Sequence, residues 1–437
     1  MNIVYATLEQ VLAFRDERRI LQKELLEVCS CPLVSFSMNI AGPYKRTALI
    51  EFAFNETLRR LRQILPDPVC YREIRGESGC EALWAADLPA EELKNRCVML
   101  EESEPIGRLL DLDVLDQSGK KLSRDRNRAC IVCGGPVFPC ARSRAHSLFE
   151  ISEKTDAILR SFAAHRLGEL AVEALLEEVH FTPKPGLVDE NNSGAHKDMD
   201  LPLMEKSAHT LLDYFVSAAA LGLEHPKGFP RLLQQQGVRA EDCMFAATSG
   251  VNTHKGAVFS LGILTAAVGL CLAENREDIF AAAAEIAIGL ENPVLPSHGE
   301  TVRSRYSRSG VREEAAGGFP HVQKALGILC QGGTHLDALL TLIAELDDSN
   351  LLYRGGEDGL LFLQNAAKKI LFSPENEKRR LTAELDRQCI MKNLSPGGSA
   401  DLFAAALFID ALRPPVFLAT QNVQKGLTCE TLTGRSL

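Results

Sequence analysis

Hydrophobic and polar positions repeat with two different rhythms along this chain, and the change comes near residue 155. In residues 8–28, LEQVLAFRDERRILQKELLEV, apolar side chains recur at helical spacing. CPLVSFSMNI at 31–40 reads as a short strand, and TALIEFAFNETLRRLRQIL at 47–65 returns to the helical period. Two further short apolar runs, EALWAADL and RLLDLDVLD, lie between turn-like or charged stretches. This pattern predicts an α+β domain over residues 1–154.

Beyond residue 155 strand signals nearly vanish. In DAILRSFAAHRLGELAVEALLEEVHF, residues Ile158, Phe162, Leu167, Leu170, Ala174 and Leu175 trace one amphipathic face, and Thr182-Pro183-Lys184-Pro185-Gly186 ends the helix. Comparable helices rich in Ala and Leu recur to residue 412, separated by polar connectors that carry glycine and histidine. An all-α helical domain over 155–437 is expected. Residues 256–273, GAVFSLGILTAAVGLCLA, carry no charge and approach membrane-spanning length. Three glycines, a serine and a threonine lower their hydrophobicity, so they are expected to form a buried helix at the centre of an all-α core, with no membrane partner.

Charge and composition narrow the partners. A formal net charge of -10 gives no global attraction to nucleic acid, whose binding leans on clustered Lys and Arg. The local cluster Arg124, Arg126, Arg128, Arg142 and Arg144 still suits a small phosphorylated ligand. The start, MNIVYATLEQVLAFRDERR, lacks the basic region and apolar core of a signal peptide, so a cytoplasmic location is expected. Thirteen scattered cysteines, an odd number, argue against a disulfide framework. Nine of the ten histidines lie between His165 and His335, which suggests different chemistry in the two halves.

Five connectors punctuate the helical half, each joining phosphate- or metal-binding residue types to glycines that let a ligand approach the backbone. KPGLVDENNSGAHKDMD offers Lys184, Asp189, His196, Lys197, Asp198 and Asp200. TSGVNTHKG places His254 and Lys255 at the start of the buried helix, where free N–H groups favour an anion. The third, SHGETVRSRYSRSG to VREEAAGGFPHV, carries Arg303, Arg305, Arg308 and Arg312. The fourth supplies His335, Asp337, Asp347, Asp348 and Arg354, and LSPGGSADL brings Gly397, Gly398 and Asp401 to a helix start. Taken singly, Thr334 to Asp337 also reads as a capping pair, Asp347 and Asp348 as a solvated helix end, and SPGGSAD as an N-terminal cap. Together the loops predict a composite site in which acids, Asp198 and Asp401 among them, hold Mg²⁺ and basic groups hold phosphates.

These connectors resemble, over about residues 160–412, the motifs of the triphosphoribosyl-dephospho-CoA synthase family. The resemblance implies a reaction in which a ribose hydroxyl of 3′-dephospho-CoA displaces adenine from ATP and the triphosphate stays intact. Breaking an N-glycosidic bond develops positive charge on the ribose, which carboxylates stabilise. His196, His254, Asp189, Asp198, Asp337 and Asp401 are the candidate catalytic residues, with the base left open. Lys184, Lys197, Lys255, Arg303, Arg312, Arg354, Gly397 and Gly398 are the candidate phosphate contacts.

Before residue 155 the most chemical stretch is Gly107-Arg108-Leu109-Leu110-Asp111-Leu112-Asp113-Val114. Residues i and i+2 of a strand face one side, so Asp111 and Asp113 can share a Mg²⁺ ion, as nucleotidyl transfer requires, while Arg108 contacts phosphate. A solvated strand face is the structural alternative. Lys45, in SMNIAGPYKR, is a second phosphate candidate. Cys130, Cys133, Cys140 and His146 have the ligand types of a structural Zn²⁺ site, against the alternative of reduced cysteines in a tight loop.

SFSMNIAGPYKR, GRLLDLDVLD and CIVCGGPVFPCARSRAHS together resemble the citrate lyase holo-acyl-carrier-protein synthase family over about residues 5–152. The resemblance implies a nucleotidyltransferase-like domain that moves phosphoribosyl-dephospho-CoA from its triphosphate precursor to a serine of citrate lyase's acyl carrier (gamma) subunit, releasing pyrophosphate. The implied product of the second half is the implied substrate of the first, so a bifunctional transferase is expected. A nucleotide or ribosyl hydrolase fused to a carrier-docking module is the alternative.

Overall fold

The structure is a computed structural model that describes residues 5–124, 128–291 and 310–414. The chain divides into two compact units, Asn2–Leu159 and Arg160–Arg413, with the division inside one long helix, Leu148–His180.

The first unit contains α1 (Leu8–Cys29), β1 (Leu33–Met38), α2 (Ala48–Ile64), β2 (Cys70–Gly76), β3 (Gly79–Ala85), α3 (Ala90–Ser103), β4 (Leu110–Leu115), α4 (Val137–Ser143) and the start of α5 (Leu148–His180). The strands form one antiparallel sheet in the order β2-β3-β1-β4. Side chains directly opposed across strands share a face, so the register sorts them. Ser37 opposes Glu81 and Asp111, and Ser35 opposes Leu83 and Asp113. On the other face Val34, Phe36, Leu112 and Val114 are buried, and Phe36 stacks on Phe54 of α2 with ring centroids 4.7 Å apart.

Helix α1 covers the polar face unevenly. Its Leu25 packs with Leu33, Leu83 and Ala85, whereas earlier turns place Arg18 3.0 Å from Glu81 and Gln22 2.9 Å from Ser35. A capping box of Thr7 and Gln10 starts α1, and Thr47 caps α2. Elements β2 and α3 went unmarked in the apolar pattern because CYREIRG is a polar edge strand and AEELKNRCVMLEES is mostly polar. Cys29 is disulfide-bonded to Cys70, tying the end of α1 to the start of β2, a single pair rather than a framework. The other described cysteines are free.

The second unit is helical throughout its described residues: the rest of α5, then α6 (Leu201–Thr210), α7 (Leu212–Glu224), α8 (Phe229–Ala247), α9 (Lys255–Glu274), α10 (Ile279–Ile288), α11 (Val311–Ala316), α12 (Pro320–Cys330), α13 (His335–Glu345), α14 (Ser349–Leu371), α15 (Glu375–Lys392) and α16 (Gly397–Ala411). Helix α9 is long and apolar enough to cross a membrane, yet 78% of its apolar window is buried. It packs against α7, α8, α10, α11 and α16 and forms the centre of the core. Glycine permits close contact: a Cβ on Gly222 of α7 would lie 2.0 Å from the Ala266 carbonyl oxygen of α9.

Candidate active sites

In the first unit the chemistry sits on the polar face of the sheet. Asp111 and Asp113 alternate with buried Leu110, Leu112 and Val114 on edge strand β4, so both carboxylates leave from one side. Asp111, Ser37 and Glu81 form a row across three strands. Glu81 is buried; one of its oxygens accepts from Arg18 and the other has no hydrogen-bond partner. Burial lifts its carboxyl to about 7, against the pull of Arg18 and with a push from Asp111. Asp113 accepts from the Lys121 ammonium at 2.5 Å.

Basic groups surround this row. Arg15 acts on both Glu81 and Lys45, and burial with Arg15 lowers the Lys45 ammonium, which donates to the Ile40 carbonyl. Arg108 donates to the Ala129 carbonyl, and Arg124 and Arg128 pair with buried Glu101. Glu101 also accepts the Leu112 N–H, the amide between the two aspartates, at 3.0 Å. Gly107 is required here, because a Cβ would lie 2.0 Å from the Glu101 carbonyl oxygen. Cys130, Cys133, Cys140 and His146 form a separate cluster.

In the second unit, side chains from the last turns of α5 and from the starts of α9, α14 and α16 form one buried polar group. Lys184 donates to Glu178 Oε1 at 2.6 Å and to its carbonyl at 2.5 Å, both residues being buried. Asp401 of α16 accepts the Ala257 N–H in the first turn of α9. It packs so closely there that a Cβ on Gly256 would lie 2.0 Å from its Oδ2. Asp348 caps α14 by accepting the Asn350 and Leu351 N–H groups, and it ties α16 through the N–H and hydroxyl of Ser399.

Burial and the charges of Glu178 and Asp348 hold the Asp401 carboxyl well above the usual range. Burial likewise raises Glu178, against the pull of Lys184. His254 precedes α9, with Nδ1 2.8 Å from Ser207 Oγ and a buried Nε2 without a partner. Burial and the Lys184 charge push it down to about 3, so the imidazole is neutral at working pH.

The other candidates fall into distinct settings. Asp189 accepts three backbone N–H groups, from Lys184, Asn191 and Asn192, and so shapes its loop. His196 accepts from Arg354 at Nδ1, 3.1 Å away, and its Nε2 lies 2.9 Å from Ser395 Oγ. Burial and Arg354 push His196 down to about 4, and Asp198 stands beside this pair. Lys255 pairs with Glu241 at 2.8 Å, and Lys197 is exposed. Arg312 lies over the Phe259 ring. Gly397 and Gly398 approach Asn350 and Asp348. Asp337 is engaged in the capping box of α13 and in an ion pair with Lys378 at 2.6 Å. Arg126, Arg303, Arg305 and Arg308 lie outside the described residues.

Two acids in these groups went unmarked in the sequence, Glu81 and Glu178, while Asp348, offered both as a site acid and as a solvated helix end, is a buried cap. Glu178 follows Ala171, Ala174 and Leu175 on the buried face of α5, and a charge in that register was its signal. Glu81 interrupts an otherwise apolar strand. The buried pair carries a stability prediction. Lys184→Ala leaves Glu178 an uncompensated buried charge and should destabilise the second unit by about 3–5 kcal/mol. Helical circular dichroism in urea reads this loss, and since the chain's one tryptophan, Trp84, is in the first unit, its fluorescence transition should stay in place.

Comparison with known proteins divides the chain in the same order. The CitX family, described as apo-citrate lyase phosphoribosyl-dephospho-CoA transferase, matches residues 6–162. The CitG family, described as ATP:dephospho-CoA triphosphoribosyl transferase, matches residues 164–416. "Protein CitXG" of Haemophilus influenzae is 35% identical over 93% of this chain and 96% of its own length. "Protein CitXG" of Leuconostoc mesenteroides subsp. cremoris is 32% identical over 93% of this chain and 97% of its own. A probable 2-(5''-triphosphoribosyl)-3'-dephosphocoenzyme-A synthase of Pseudomonas aeruginosa is 41% identical and covers 59% of this chain, all but a small part of its own length.

Proposed function

The chain belongs to the family of fused CitX–CitG proteins, and from that membership we propose how its residues divide the work of making and attaching the citrate lyase prosthetic group. The protein is a bifunctional transferase. One reaction joins ATP to 3′-dephospho-CoA and releases adenine; the other moves phosphoribosyl-dephospho-CoA onto apo-citrate lyase. In our reading residues 155–437 carry the first, residues 1–154 the second, and the acceptor is a serine of the acyl carrier subunit.

The observation that carries the first assignment is the buried carboxylate group of Glu178, Asp348 and Asp401, with the Lys184 ammonium paired to Glu178. Such a group favours a positive charge placed next to it. Asp401, made more basic by burial, takes the proton of the 2′-hydroxyl of dephospho-CoA. The freed oxygen bonds to C1′ of the ATP ribose, the C1′–N9 bond breaks with its electron pair going to adenine, and adenine leaves after taking up a proton. Glu178, beside Asp401, stabilises the charge that develops on the ribose. The open Nε2 of His254 accepts from a ribose hydroxyl and orients it. Lys255, Lys197, Arg354 and Arg312 lie on connectors suited to the triphosphate.

In the second reaction the carrier serine oxygen bonds to the phosphorus next to the transferred ribose, and the bond to pyrophosphate breaks. Glu81, with an unpartnered oxygen beside Asp111, accepts the serine proton. Arg15, Arg18 and Lys45 hold phosphate oxygens. Asp111 and Asp113 offer a hard-cation donor set, and Mg²⁺ bound there would supply charge neutralisation for the leaving pyrophosphate. Paired acids on an edge strand with a third on the same face support a nucleotidyltransferase-like reading of this unit.

Two measurements test these roles. Purified triphosphoribosyl-dephospho-CoA with apo-carrier should yield pyrophosphate and a mass increase on one serine; carrier binding without attachment would remove the second assignment. Because His254 stays neutral down to about 3, adenine release should show no histidine inflection near pH 6.5. An inflection there that disappears in His254→Gln would contradict its neutral role.

A further inference from the structure

We propose that Cys130, Cys133, Cys140 and His146 bind one structural zinc ion, and that this ion holds the segment bracing the carboxylate strand β4. One ligand atom from each side chain lies within 4.8 Å of the others. The Cys133 and Cys140 sulfurs are 3.6 Å apart, near the edge of about 3.8 Å of a tetrahedron with metal–sulfur distances of about 2.3 Å, and far longer than an S–S bond. Backbone N–H groups of Val132 and Cys133 point at the Cys130 sulfur. Gly134, at φ +71°, makes the turn that brings them there.

The fourth position is the independent sign of a ligand. His146 Nε2 is buried and has no hydrogen-bond partner, although buried ring nitrogens ordinarily have one. A metal bond satisfies it. Thiolate and imidazole donors together select zinc over the harder cations suited to Asp111 and Asp113.

The segment also lacks an apolar core of its own. Between Cys130 and His146 the only buried residue is Cys130, and α4 contributes none. A chain segment without an apolar core needs a cross-link or a metal to offset its ordering entropy. Its attachments lead straight to the catalytic strand: Ala129 bridges to Pro136, Arg108 donates to the Ala129 carbonyl, and Arg128 donates to the Leu110 carbonyl at 2.7 Å. Leu110 immediately precedes Asp111. Metal loss should therefore loosen the edge on which both aspartates stand.

The test is elemental analysis of the full chain purified without chelator, which should find about one zinc per chain. Cobalt substituted for it should show the absorption of a tetrahedral thiolate site. Cys133→Ser should drop zinc below about 0.2 per chain, reduce carrier attachment at least tenfold and leave adenine release within about twofold. Native protein with under about 0.2 zinc per chain, or Cys133→Ser with undiminished zinc, would overturn the site. Should Cys133→Ser fail to fold, the native chain decides by releasing about one zinc when its thiols are titrated with a mercurial. The metal content is independent of the two-reaction reading, so failure of either is distinguishable. Zinc at full occupancy with attachment unaffected by its removal would refute the bracing role.

Discussion

Asp401→Asn should lower adenine release about a thousandfold while attachment from purified precursor stays within about twofold of native. The substitution keeps the shape of the side chain and an oxygen able to accept the Ala257 N–H, so α9 and α16 retain their contact. It removes the negative charge and the proton acceptor. An unchanged helical unfolding transition separates lost chemistry from lost folding. Retention of more than a tenth of the activity would show that another group is the base. Glu178, the neighbouring buried carboxylate, would then be the next to replace.

Asp111→Ala should give the opposite separation, abolishing attachment by about a thousandfold and sparing adenine release. Asp111 stands beside Glu81 across Ser37, and its carboxylate is one of two on the edge strand. Its loss removes a cation ligand and eases the charge crowding on Glu81. Residual attachment should be independent of Mg²⁺ concentration. If Asp111→Ala also disabled adenine release in folded protein, the division of labour between the two units would be wrong.

Much of the fold was legible because its signals are local. The helical periods of α1, α2 and α5 and the short runs at β1, β3 and β4 are all readable in the apolar pattern, and the uncharged stretch at 256–273 became the central helix α9. The edge strand β2 was not legible, since its mostly polar residues are half-buried and carry no clear apolar alternation.

The candidate sites were harder to read for a physical reason. Connectors rich in Gly, His and Asp announce themselves, but the acids that complete each group lie inside regular elements. Glu178 occupies a buried position of α5, and Glu81 sits within an apolar strand, where period alone marks them as misfits. Asp348 shows that a capping residue can also tie two helices together, through Ser399. Conversely, Asp337 looks chemical in the sequence, yet Thr334 and Lys378 occupy its carboxylate. Which loops converge is decided by contacts such as Arg354 with His196, which span residues far apart in the chain.

One chain both builds the coenzyme precursor and hands it on, and adenine release from ATP and Mg²⁺, measured with dephospho-CoA present and absent, decides this. Stoichiometric adenine and triphosphoribosyl-dephospho-CoA should form only when dephospho-CoA is present, followed by a mass increase on added apo-carrier. Adenine released equally in its absence would instead make the helical unit a hydrolase.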